Sequence, residues 1–147
     1  MKKLIGGVGV AAILASGAIV GSAAPAAATT TTGTFACHGA LYSYSINYTR
    51  YQGSGGLRSK VTRIALSVEA PNYPTQHESR ERVLSSAGTA WDSTYMVSPA
   101  VSGGALHIVN FDPATAPNQL VANGARVLLQ AGIWNDGYAA CDQNVYI

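Results

Sequence analysis

Cys37 and Cys141 are the only two cysteines in the chain, and they bracket nearly everything in it that can fold. A bond between them requires the first and last strands to approach within about 7 Å at those positions. Closing a loop of this size removes about 4–5 kcal/mol of unfolded-state entropy in chain-entropy models. Such a bond persists in an oxidising compartment, and the N-terminus supplies the route to one. Lys2 and Lys3 precede a run of small and apolar residues from Leu4 to Ala24, Pro25 breaks the run, and Ala26-Ala27-Ala28 meets Thr29. Residues 1–28 are read as a signal peptide of bacterial style, cleaved before Thr29. The apolar run nears the length of a membrane span, but it is mostly Gly and Ala and no basic stop-transfer cluster follows it. No membrane anchor is therefore expected. Gly17, not cysteine, follows Leu14-Ala15-Ser16, so no lipid attachment site is formed. The expected organisation is a leader over 1–28, a flexible arm over 29–33 and one secreted β domain over 34–147.

Charge narrows the partners. Without Lys2 and Lys3 the nine basic residues become seven, matching the seven acids. A neutral domain this sparse in charge is not built to hold a phosphate backbone, so no nucleic acid is expected. Four of the basic residues (Arg50, Arg58, Lys60 and Arg63) fall together with no acid among them. They are read as a solvated hairpin end that guards a sheet edge.

After Gly33 the dominant period is two. Tyr42, Tyr44, Ile46 and Tyr48 alternate with Ser43, Ser45, Asn47 and Thr49, which predicts a strand apolar on one face and polar on the other. Gln52–Gly56 supplies a turn, and Leu57–Glu69 returns with Ile64, Leu66 and Val68 in alternation. Cys37 has the wrong parity for the Tyr42–Tyr48 face, and a bulge at Gly39 would correct it. Thr75 and Glu78 have capping-box spacing, so a short helix over 76–86 is one expectation. A polar loop leading into a strand near Arg82–Ala87 fits equally well. Further strands are expected around Trp91–Val97 and Ala105–Phe111. Six or more short strands with a terminal staple predict an all-β, single-domain antiparallel sandwich or barrel.

The last hairpin admits two registers. A two-residue Asp136-Gly137 turn mixes polar and apolar residues on both faces. A three-residue turn, Asn135-Asp136-Gly137 with Gly137 left-handed, puts Val127, Leu129, Ala131 and Ile133 on one face with Ala139, Cys141 and Val145. The second is chosen because it segregates the faces. Its other face carries Gln130, Trp134, Tyr138, Asp142 and Asn144, an aromatic and amide-rich set that is the candidate ligand platform.

No catalytic motif stands out. His38, His77 and His107 have no metal-ligand spacing, no Gly-x-Ser-x-Gly elbow is present, and no cofactor or metal is expected. The expected function is a secreted, non-enzymatic module that binds an extracellular protein or glycan. One version is a hydrolase inhibitor that inserts Gln52–Gly56 or Asp112–Asn118 into its target. The alternative is a small secreted hydrolase with a site around His107 or Asp92. The leader reading has a direct check: N-terminal sequencing of secreted material should begin at Thr29. A mature chain that still carries Leu4–Val20 would overturn it.

Overall fold

The computed structural model describes residues 25–53, 56–69, 74–100, 102–104, 106–110, 120–122 and 125–147. Residues 1–24 of the expected leader over 1–28 lie outside these residues. Ten strands occur among them: β1 (Pro25–Cys37), β2 (Ala40–Gly53), β3 (Gly56–Glu69), β4 (His77–Ser85), β5 (Gly88–Asp92), β6 (Met96–Val97), β7 (Leu106–Asn110), β8 (Leu120–Ala122), β9 (Arg126–Ile133) and β10 (Cys141–Tyr146). One antiparallel sheet has the order β1-β2-β3-β7, with β8 on the other half of β3. The second has the order β10-β9-β4-β5, with β6 also on β4. The two sheets pack face to face as a sandwich and do not close into a barrel.

The alternation read in β2 is what joins the layers. Tyr42, Ile46 and Tyr48 from β2 and Val61, Ile64, Leu66 and Val68 from β3 are buried against Val83, Val127, Leu129, Ala131 and Val145 of the second sheet. In β3 the inward positions change parity between Val61 and Ile64, because Thr62 is an extra residue between the pairs Asn47↔Arg63 and Tyr48↔Val61. The Thr62 hydroxyl donates to the Asn47 carbonyl at 3.1 Å.

Three expectations are corrected. Thr29–Gly33, expected as a flexible arm, lie within β1 opposite Tyr48–Tyr44. Pro25 and Ala28 also pair with β2, opposite Tyr51 and Thr49. Threonine favours strands, and Gly33 is there because the Tyr44 ring crosses it where a Cβ would stand. The parity of Cys37 is set by a tight turn, not a bulge. His38 and Gly39 both have positive φ (48° and 82°), a two-residue hairpin turn that places Cys37 opposite Ala40 on the inner face. The helix over 76–86 is replaced by β4. Its inner face is His77, Ser79, Glu81 and Val83, all buried, and its outer positions Glu78, Arg80, Arg82 and Leu84 are half-buried. Period two is fully present there, but three of its four inward residues are polar.

The paired strands of the last hairpin have the expected register, but the connection is longer than three residues, and Trp134 and Tyr138 lie in it and are not a cross-strand pair. Ala131 faces Cys141, Leu129 faces Gln143, and Val127 faces Val145. Gly137 is left-handed, with φ of 80°. Cys37 and Cys141 are bonded, with Cα atoms 5.8 Å apart. The bond ties β1, at the edge of one sheet, to β10, at the edge of the other.

Glu81 is 0% exposed, and neither carboxyl oxygen has a hydrogen-bond partner. The Ser93 hydroxyl accepts from the Glu81 amide and donates to the Thr94 carbonyl. Burial pushes the Glu81 pKa up to about 8. In the unfolded chain the ordinary value is 4.5. Above that value the unfolded chain loses a proton that the folded chain retains until about pH 8, so stability falls as pH rises through this window. The loss is on the order of 5 kcal/mol at most. Urea melts of the wild type and Glu81→Gln across that window should diverge, with the wild type losing more stability. Parallel pH profiles would show that Glu81 is not held as a neutral acid.

Candidate functional site

Three turns meet at the end of the sandwich that carries the disulfide, and an open cleft of about 790 Å³ lies among them. The β1–β2 turn contributes His38. The approach to β4 contributes Pro74, Thr75 and Gln76, and the β9–β10 turn contributes Trp134, Asn135, Asp136 and Tyr138. Each turn is held in place by its neighbours. The Trp134 amide donates to the Gln76 carbonyl at 2.9 Å, which fastens the β9–β10 turn to the start of β4. The Tyr138 amide donates to Asp136 Oδ1 at 2.9 Å, a side-chain turn that lets the chain reverse. Asn135 and Gly137 take the left-handed backbone the reversal needs.

His38 binds the first turn to the last. Its Nε2–H donates to the Ala139 carbonyl at 2.8 Å. Its ring stacks on Tyr138, with centroids 4.9 Å apart and planes at 21°. Nε2 also lies 3.7 Å from Cys141 Sγ. Cys37, His38 and Cys141 thus bring three ligand-type atoms within 4.8 Å of one another. Both sulfurs are spent in the disulfide, and a metal needs thiolates. In this state the trio is a staple with a histidine laid against it.

Beyond Gln76 the chain turns inward. His77 is buried, and its Nδ1 shares a 2.8 Å hydrogen bond with the Tyr42 hydroxyl, the rings meeting edge to face. Burial raises the Tyr42 pKa well above its ordinary value, and the charges of Asp136 and Glu78 add to the effect. The pair is a buried hydrogen bond and holds the start of β4 to the first sheet.

The five residues of the expected platform divide. Trp134 and Tyr138 line the cleft and are 40% and 69% exposed. Gln130, Asp142 and Asn144 stand on the outer face of the second sheet, where cross-strand partners occupy them. Gln130 donates to Asp142 at 2.7 Å and accepts from Arg82 at 3.0 Å, and Arg126 donates to Asn144 at 2.6 Å. His38, Gln76 and Asp136 are cleft residues that the sequence reading left out. Only the Asp136-Gly137 turn marked one of them.

Asp92, a residue of the alternative hydrolase reading, is the ion-pair partner of Arg80, which donates Nε–H to Oδ1 at 2.8 Å and a second N–H to Oδ2. The Arg80 hydrogen bonds lower its pKa to about 2, and Oδ1 also accepts from the Thr94 amide. His107 lies in β7 opposite Val68, and its side chain is outside the described residues. So are Ser54 and Gly55 at the tip of the Gln52–Gly56 inhibitory-loop candidate, and the whole of the Asp112–Asn118 candidate. Set beside known proteins, the chain matches no protein-family model, no curated relative and no solved structure.

Trp134 projects from a turn and is substantially exposed. Trp134→Ala should therefore lower stability by no more than about 1 kcal/mol, as surface substitutions do. Denaturant melts check this. A loss near 3–5 kcal/mol, the cost of a core cavity, would mean Trp134 is packing and not rim.

Proposed function

We propose that the chain is a secreted, non-catalytic module that binds a glycan in the cleft between the β1–β2 and β9–β10 turns. One observation carries the reading. Two large aromatic rings, Trp134 and Tyr138, stay exposed at the rim of a cleft walled by amide, hydroxyl and carboxylate groups. Aromatic faces give a sugar ring a flat apolar contact at low entropic cost, and the polar walls can partner its hydroxyls. Tyr138 is already held by His38, so little further ordering would accompany binding. Secretion rests on the leader, and the disulfide fits an oxidising environment.

Binding is favoured over hydrolysis by the composition of the cleft. Glycoside hydrolysis uses two facing carboxylates, and Asp136 is the only carboxylate among the cleft residues described. The Tyr42–His77 pair is buried and engaged with itself.

The test is retention of the purified domain on insoluble polysaccharides, followed by calorimetry with soluble oligosaccharides of any that retain it. Trp134→Ala should weaken binding by at least about tenfold, as loss of an interface anchor does. Tyr146→Ala, which removes a 71% exposed ring away from the cleft, should leave affinity unchanged. Equal effects of the two substitutions, or no retention on any polysaccharide, would overturn the proposal.

A further inference from the structure

Few charged or titratable groups line the cleft. Among its described lining residues there is no lysine and no arginine, the one histidine, His38, donates Nε2–H to the Ala139 carbonyl, and the only carboxylate is Asp136. Four of the protein's six arginines are engaged elsewhere, Arg80, Arg82 and Arg126 on the outer face of the second sheet and Arg50 against Tyr48, and Arg58 and Arg63 lie in β3. Asp136 is also incompletely satisfied. Oδ1 accepts from the Tyr138 amide, whereas Oδ2 is shielded from solvent and has no hydrogen-bond partner. A carboxylate oxygen held away from water without a donor leaves its charge poorly screened, so its field reaches further than at an open surface.

Asp136 stands between Trp134 and Tyr138 in the same turn, and all three line the cleft. Ring faces attract cations through their quadrupoles, and a nearby negative field strengthens the attraction. Because Oδ2 is shielded, a cation in the cleft would be recognised by the ring faces and the carboxylate field, without a direct ion pair to that oxygen. A protonated amine is therefore favoured over a neutral group, and an anionic one is disfavoured.

From this we infer that the cleft prefers saccharides carrying a protonated amine, that is, amino sugars with free amino groups, over their acetylated or acidic counterparts. The inference rests on the glycan reading above and narrows it to one class.

The test compares three soluble oligomers of equal length by calorimetry, at a pH where free amines are protonated: glucosamine, N-acetylglucosamine and glucuronic acid. The expected order has the glucosamine oligomer tightest and the acidic oligomer without measurable binding. Asp136→Asn keeps an oxygen acceptor for the Tyr138 amide and removes only the charge. It should weaken the glucosamine oligomer by about tenfold, and by clearly more than it weakens the N-acetylglucosamine oligomer. Thermal melts of the variant confirm that the turn survives. Equal binding of free and acetylated oligomers, or no effect of Asp136→Asn on the glucosamine oligomer, would overturn the charge preference and leave the glycan reading standing. Binding of a lysine-rich peptide, sensitive to Asp136→Asn, with no oligosaccharide bound would overturn both.

Discussion

The Cys37–Cys141 bond is the constraint on which the geometry of this end of the molecule depends. It joins two edge strands that share no backbone pairing, so the separation of β1 from β10 is set by this bond and by side-chain contacts alone. The residues beside the cysteines are the ones that shape the cleft. His38 follows Cys37 and reaches across to Ala139, two residues before Cys141, and to the ring of Tyr138. The bond, the His38 hydrogen bond and the ring stack act over the same short span. The two turns are held as one body by a covalent link reinforced by a polar and an aromatic contact.

The second organising feature is the inner face of β4. A sandwich core is ordinarily apolar, yet this central strand points His77, Ser79 and Glu81 into it. The histidine is matched by Tyr42 from the opposite sheet. The carboxyl is accommodated by remaining neutral, since burying an unpaired carboxylate would cost far more than burying the acid. The strand keeps its place because both flanks are paired, β9 along one side and β5 and β6 along the other. Backbone pairing and the neighbouring Val83, Val127 and Leu129 compensate for what its own side chains lack.

How much could be read in the sequence follows from this. Where inward residues are apolar, alternation reveals the strand, as at Tyr42–Tyr48. Face segregation even selected the register of the last hairpin, with Ala131 opposite Cys141. Where inward residues are polar, the same periodicity is present but carries no hydrophobic signal, and β4 resembled a capped helix. β1 was missed for a related reason: threonine and glycine look like an arm until Tyr44 is seen lying over Gly33. The candidate site was legible only in part. Trp134 and Tyr138 came from correct register reasoning, but their strand-face companions turned out to be engaged in a cross-strand polar ladder. His38 and Gln76 come from turns distant in sequence, and only the three-dimensional meeting of those turns identifies them.

The neutral Glu81 has a calorimetric consequence. Near neutral pH its carboxyl is ionised in the unfolded chain and protonated in the folded one, so folding draws about one proton from solution at this residue. That proton comes from the buffer. The heat measured on unfolding therefore contains the buffer's own ionisation heat, and a single side chain at the centre of the sandwich makes the apparent folding enthalpy depend on the solvent's chemistry.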